Sequence, residues 1–428
     1  MTWRMDIADL PDLPADVAAV WDDDMAGAAD RLFESGARGL LQILPGMVVA
    51  FRNTDVRALA SDPAVGNVEA DLLAQMMSFI GYDDPERGFV PVISNQVFAF
   101  NPPLHAPARR ALTRQMTPSN VERFGELADR LLVKILGDLD DGRPFDLCAD
   151  LAQRFAAEFF GALVGLEPDE VVEAQRLTED MGLVFLNAPT PDQVERVSAA
   201  AERYVELVAA AAERTLAGES AEADPLALQV LGDFAADLAA ITEPGVPATA
   251  GLFAAGNFFD GFHTAGVGAA NAVVALIERP GVAERVRTDP SLTTAAYDEA
   301  TRLAPPLVLT NHHVLTDTSL AATDTTDEVT IPAGTLVSLH WGAANRDPDA
   351  FDDPTSFDLG RPHDRLLTFG RGPHVCPGRS ISRFLGTTLI DAVLARPWDL
   401  EPDPGPTWVT GASATQMTAC PVRQVRRS

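Results

Sequence analysis

The sequence predicts a mainly α-helical fold with a small β region, and three observations carry that expectation. Helical periodicity dominates: residues 121–136, 151–166, 197–216 and 282–287 place apolar side chains three and four apart with charges between them. Strand-like runs are few and short. No linker is long enough to separate domains, since the best candidates, residues 217–225 and 242–245, are short loops. Residues 1–428 are therefore read as one domain, although the length alone would allow two or three.

The first strand-like run covers residues 47–51. After the amphipathic helices comes a span from about residue 248 to 278, bounded by Pro247 and Pro280, that is apolar nearly all round and so should cross the interior. Its glycines, Gly251, Gly256, Gly261, Gly266 and Gly268, favour a kink or a close approach to something flat. Residues 328–331 and 336–339 read as two strands, and the turn Ile331-Pro332-Ala333-Gly334-Thr335 between them suits a hairpin. A last strand-like stretch surrounds Trp408.

Composition excludes several classes. A net charge of −30 repels nucleic acid and anionic membrane surfaces. No uninterrupted apolar stretch of about 20 residues exists, and residues 1–6 lack the blocks of a signal peptide, so a soluble, cytoplasmic protein is expected. Cys148, Cys376 and Cys420 are too dispersed for a zinc site or a disulfide framework. The charge is uneven, however: Arg361, Arg365, Arg371, Arg379 and Arg383 face a single acid, Asp364, within residues 361–383.

The most informative stretch is Phe369-Gly370-Arg371-Gly372-Pro373-His374-Val375-Cys376-Pro377-Gly378. A lone cysteine between glycine-rich turns, followed by a helical pattern (Ile381, Phe384, Leu385, Leu389, Ile390), suits a thiolate presented to a metal at a helix start. Gly372 and Gly378 let backbone approach a flat ligand, and Pro377 suits the first helical position. Elsewhere, Glu299 and Arg302 lie three apart on one helix face, and His105 and Arg109 lie four apart, able to reach one anion together.

The aromatic-x-x-Gly-x-His-x-Cys-x-Gly pattern resembles the haem-ligand signature of the cytochrome P450 family. The resemblance extends to Glu299-Ala300-Thr301-Arg302, to Asn101-Pro102-Pro103-Leu104-His105 with Arg109, and to Asp260-Gly261-Phe262-His263-Thr264-Ala265. It implies one cytochrome P450-like domain enclosing haem b, with Cys376 on the iron and Phe369, Gly372 and Gly378 shaping its loop. It further implies haem propionate contacts from His105, Arg109 and His374, and from His312, where the family usually supplies an arginine. Glu299 and Arg302 become structural, completed by an Arg-Pro-rich meander over residues 345–361.

In the Ala-Gly-x-(Glu/Asp)-Thr-Thr segment of the family, the acid and alcohol relay protons during oxygen activation. Here Gly261 and Thr264 match, His263 stands at the acid's place, and Asp260 lies one turn earlier. Asp260 is expected to hold or charge the His263 imidazole, making Asp260, His263 and Thr264 the candidate catalytic group. The implied function is a haem-thiolate monooxygenase that oxidises a hydrophobic small molecule, with electrons from NAD(P)H through a separate ferredoxin reductase and ferredoxin and no fused redox domain. Oxidative coupling, dehydrogenation or peroxide-driven chemistry is the alternative, and a non-enzymatic haem sensor is a further one. Pocket walls are expected from residues 79–98, 183–185, 307–310 and 410–412 and from Phe258, Phe259 and Phe262.

Overall fold

The helical periodicity is realised with shifted ends. The computed structural model describes residues 4–7, 10–14, 25–34, 39–84, 86–220, 223–322 and 328–427. The expected helices become Gly125–Leu139, Arg154–Val164, Pro191–Leu216 and Pro280–Thr288. Their starts have local causes. Thr190 accepts the Gln193 N–H while the Gln193 side chain accepts the Thr190 N–H, and Pro191 fills the first helical position. Residues 151–153, expected in the next helix, belong to a π-helical turn, Leu147–Gln153, capped by Asp146.

The chain forms two compact units. The first comprises Met1–Glu69, Glu299–Cys376 and Thr410–Thr415, and the second Ala70–Asp298, Pro377–Val409 and Gln416–Ser428.

In the first unit a five-stranded sheet runs in the order Leu40–Leu44, Met47–Ala50, Leu336–Leu339, Thr310–Val314, Val65–Asn67. Only the Met47–Ala50 and Leu336–Leu339 pair is parallel. A separate sheet holds Arg4–Asp6, Glu328–Ile331 and Thr318–Leu320. The expected hairpin of 328–331 with 336–339 is thus corrected, because its two strands lie in different sheets. Pro332 has no N–H for a ladder, and Gly334, at φ +88°, sends its N–H to the Val314 carbonyl at 2.8 Å. Leu336 then bonds to the Gly46 carbonyl at 2.9 Å, so the turn passes the chain from one sheet to the other.

The same unit buries a charged cluster. Arg302 meets Glu299 through two bonds, Nε to Oε2 at 2.7 Å and Nη2 to Oε1 at 2.8 Å, and both side chains are fully buried. Arg361, from the expected meander, donates to Glu299 Oε1 at 3.0 Å. The remaining donors end on backbone: Arg302 reaches the carbonyls of Asn345, Pro354 and Ser356, and Arg361 those of Asp352, Asp353 and Ser356. Burial pushes the Glu299 carboxyl up, but the Arg302 bonds and charge, the Asp358 N–H and Arg361 outweigh it and leave it low.

In the second unit the glycine-rich span forms Ala250–Asp260, a π-helical turn Gly261–Ala265, and Gly266–Ile277. The flat object that Gly261 approaches is the Phe160 ring, which a Cβ would overlap. That ring also packs 5.4 Å from Phe258 and 5.8 Å from Phe262, while Tyr204 closes on Phe259 and Phe262. Phe258, Phe259 and Phe262 are each only 1 % exposed. They are core, which corrects their expected place in a pocket wall.

Replacing Arg302 by Met should cost about 3–5 kcal/mol of stability, because Glu299 would keep a buried charge with half its compensation. Chemical denaturation measures this, and a loss under about 1 kcal/mol would mean the carboxylate finds water or protonates cheaply.

Candidate functional site

The cysteine loop is built by three turns. Gly370 and Gly372 hold φ of +65° and +73°, and a Cβ on Gly372 would strike the Ala60 carbonyl, so glycine is required there twice over. The Gly370 N–H bonds to Leu367 O at 2.9 Å, Val375 to Gly372 O at 3.2 Å, and Cys376 to Phe369 O at 2.8 Å. Behind the loop, Asn345 accepts the Leu367 N–H at 2.7 Å and donates to Thr368 Oγ1 at 3.1 Å. Since Asn345 also offers its carbonyl to Arg302, the loop hangs from the buried charged cluster. Cys376 and Phe369 are half-buried. The helix that follows starts at Arg379 with Gly378 as its N-cap, so Pro377 precedes the cap instead of opening the helix as expected.

His374 and His312 come together in this unit with ring centres 6.3 Å apart. His312 is buried, its Nε2 lies 3.1 Å from Thr310 Oγ1, and Thr310 accepts the Trp341 indole N–H at 2.9 Å. Thr310 therefore donates to His312 Nε2, which leaves the other ring N–H for the Gly66 backbone. Burial pushes the His312 pKa down to about 4 against that backbone bond. The His312 ring is thus engaged by Thr310 and Gly66 beside His374.

In the second unit, His105 opens the helix His105–Gln115, and Arg109 follows one turn later. Burial first, and then the Arg109 charge, push the His105 pKa down to about 4, so the two side chains are electrostatic neighbours as their spacing requires.

The distal trio differs from expectation. His263 Nε2 lies 2.8 Å from Gln416 Oε1, and its ring stacks on Phe259 and Phe185 at 6.1 and 5.7 Å. Burial pushes its pKa down to about 4, only partly offset by Gln416. Among the described residues the imidazole bonds to Gln416 and not to Asp260, where the spacing places its partner. Thr264 donates back to the Asp260 carbonyl, and Asp260 itself takes a long bond from Gln96 Nε2 at 3.4 Å. The Asp260 side chain keeps accessible surface, yet protein surrounds it so fully that burial pushes its pKa to about 7.

Of the five arginines in the basic segment, Arg361 is committed to Glu299 and Arg383 to Asp298. In the first unit Arg365 and Arg371 remain exposed, and both lower the Arg57 pKa after burial does, which adds Arg57 to the basic surface. Sequence reading missed Arg57, Gln96 and Gln416, none of which carries a motif.

Among the described residues, no group of three or more His, Cys, Asp or Glu side chains can hold a metal ion. Burial and then Asp146 push the thiols of Cys148 and Cys420 up, the latter to about 11, so neither offers a thiolate.

A half-buried cysteine on a rigid glycine loop, on a mainly helical scaffold, is the arrangement of a haem-thiolate protein. The sequence pattern of the cytochrome P450 family matches residues 253–405. Cytochrome P450 CYP199A2 of Rhodopseudomonas palustris is 30 % identical over 69 % of this chain and 68 % of its own. The cyclomarin C epoxidase CymV of Salinispora arenicola is 26 % identical over 83 % of this chain and 84 % of its own. Among solved structures, CalO2 matches with a TM-score of 0.77 at 20 % identity, covering 97 % of this chain and 98 % of its own. The chain belongs to the cytochrome P450 family and is a haem-thiolate monooxygenase, an oxidoreductase. Among the described residues no helix is long and apolar enough to cross a membrane.

Asp260→Asn tests the raised Asp260 pKa. With a folded pKa of about 7 against the usual 3.8, the native state holds a proton the unfolded chain has released, so this group's contribution falls as pH rises between the two. The variant should match the parent near pH 4 and exceed its thermal stability at about pH 8. Equal melting temperatures at both pH values would show that Asp260 titrates normally.

Proposed function

We propose that the enzyme oxidises a hydrophobic small molecule with dioxygen, on haem b held by Cys376. The observation that carries the reading is the cysteine loop, where Gly370, Gly372 and the Cys376 N–H bond to Phe369 present one sulfur on a rigid turn tied to a buried charged cluster. When bound, haem supplies a thiolate-ligated iron on which dioxygen is activated. His105 and Arg109 suit one propionate as charge-assisted or neutral donors, and His374 suits the other. Phe369, Gly372 and Gly378 would shape the loop that carries the sulfur, Gly372 by its close approach to the Ala60 backbone.

For proton handling, Asp260 replaces the missing acid at His263. Its pKa of about 7 lets it hold or give up a proton near neutrality, and Thr264 lies one turn beyond it on the π-helical turn. The displacement of the acid by one turn favours a second reading, in which the same fold performs oxidative coupling, dehydrogenation or peroxide-driven chemistry. The epoxidase among the relatives supports oxygen insertion as the first reading. Product analysis with and without NAD(P)H, ferredoxin reductase and ferredoxin separates the two. Optical screening of small hydrophobic ligands for a ferric spin-state change defines the substrate class. A cytoplasmic location and a single folding domain over residues 1–428 complete the proposal.

Two outcomes are expected. Cys376→Ala should abolish the thiolate-type spectrum of the reduced, carbon-monoxide-treated protein and all oxygenase activity, and an unchanged spectrum would place the ligand elsewhere. The electron donor is proposed to be an acidic ferredoxin that docks on Arg57, Arg365 and Arg371 of the first unit. Arg365→Glu with Arg371→Glu should slow reduction by such a ferredoxin and flatten its salt dependence. Unaltered kinetics at low salt would move the docking surface.

A further inference from the structure

His263 stands where the family's pattern has an acid, and its surroundings assign it a different kind of work. The imidazole is 4 % exposed and the Gln416 side chain 7 %. Their single bond, 2.8 Å from Nε2 to Oε1, joins residues 153 positions apart. With the amide oxygen accepting, Nε2 carries the proton and Nδ1 is a lone-pair acceptor, and Nδ1 has no partner among the described residues. A buried ring that leaves one nitrogen unpaired is not placed there for its own solvation. It is placed by packing. Phe259, one turn before it, stacks at an interplanar angle of 9°, and Phe185 stacks on it at 21°.

The third side is closed by Gly182, where a Cβ would lie 2.9 Å from Nε2 and 3.2 Å from Nδ1. Only glycine admits the ring. Gly182 and Phe185 are the two ends of one 3-10 turn, Gly182–Phe185, so the imidazole is gripped by both ends of that turn. Gln416 stands at the base of the hairpin Thr407–Trp408 with Met417–Ala419, and its own carbonyl accepts the Val409 N–H at 2.9 Å. His263 lies in the π-helical turn Gly261–Ala265 beside Thr264. Three segments distant in sequence therefore meet on one ring, all within the second unit.

We propose that Gln416 and His263 form a latch that ties the Gly182–Phe185 turn and the C-terminal hairpin to the π-helical turn, and so positions Thr264. Both are positioning residues. The ring works as a neutral hydrogen-bonded plate: the groups that face it are Gln416, Phe185, Phe259 and Gly182, none of them charged, and Asp260 on its own helix bonds to Gln96 instead. The latch's consequence for ligand binding rests on the monooxygenase reading, whereas its consequence for local opening does not.

The test uses the haem-loaded protein and two readouts. Gln416→Met keeps the side-chain length and removes the acceptor. His263→Phe keeps an aromatic plate and removes the donor, and serves if the first variant folds poorly. Gln416→Glu keeps an acceptor of the same shape and is the rescue. In hydrogen exchange, the first two should open residues 182–186 and 416–420 at least about ten-fold faster than the parent while residues 345–361 exchange unchanged. The Glu variant should exchange like the parent. A phenyl-substituted imidazole, followed optically, should bind several-fold more weakly to the first two variants and normally to the third. Parental exchange at 182–186 in both Gln416→Met and His263→Phe overturns the latch, whatever the haem does. Faster exchange with unaltered probe affinity overturns the positioning of the π-helical turn. Loss of the haem spectrum in the parent would instead sink the monooxygenase reading and leave the exchange result standing.

Discussion

The buried cluster of Glu299, Arg302 and Arg361 is the constraint on which the first unit depends. Three charges leave water together, which is tolerable only because nearly every donor finds an acceptor: two carboxylate oxygens and the carbonyls of Asn345, Asp352, Asp353, Pro354 and Ser356. Such a cluster adds little net stability over a hydrophobic core of the same volume, but it fixes geometry, since any shift of the meander strands a buried guanidinium. Phe351 lies beneath both arginines, 5.3 and 5.9 Å from their centres, which adds a cation–π contact to the same arrangement. The cysteine loop inherits this rigidity through Asn345, whose carbonyl, amide oxygen and amide nitrogen each hold a different partner.

Histidine serves a second constraint by the opposite means. His105, His263, His312 and His340 are all buried, and burial pushes each pKa down to about 4. They are neutral through the physiological range and act as compact rings with one donor and one acceptor. His340, for instance, accepts the Ala343 N–H at 3.0 Å and so caps the short helix Trp341–Ala344. In a protein with 62 acidic side chains and 32 basic ones, neutral rings can be buried without partners of opposite charge.

Much of this was legible in the sequence, for reasons that mark where reading stops. The cysteine loop, the Glu299 and Arg302 pair and the His105 and Arg109 pair could be read because each is local: a few residues at helical or turn spacing define the geometry. The fate of residues 328–339 could not, because strand pairing depends on partners far away, and the Gly334 N–H goes to Val314 instead of across a hairpin. The engagement of His312 by Thr310 and Gly66 could not be read either, since it is a tertiary fact. Gln416 carried no signal at all. A lone glutamine before a short strand is ordinary until a histidine 153 residues away bonds to it.

The π-helical turn explains why His263 bonds to Gln416 and not to Asp260 one turn earlier. Positions three and four apart share a face only while the helix keeps its α pitch, and residues 261–265 leave that pitch. Thr264 still reaches back four residues to the Asp260 carbonyl, whereas the His263 ring lies among Phe185, Gly182 and Gln416. Gly261 lets this happen, because the Phe160 ring fills the space where any side chain would stand and no Cβ opposes the wider turn. Acid and imidazole are thus parted by the backbone that carries them. The carboxyl stays where burial lifts its pKa toward neutrality, and the imidazole goes where burial removes its charge. Two titratable groups one turn apart are shifted in opposite directions by burial, the acid's pKa up and the imidazole's down.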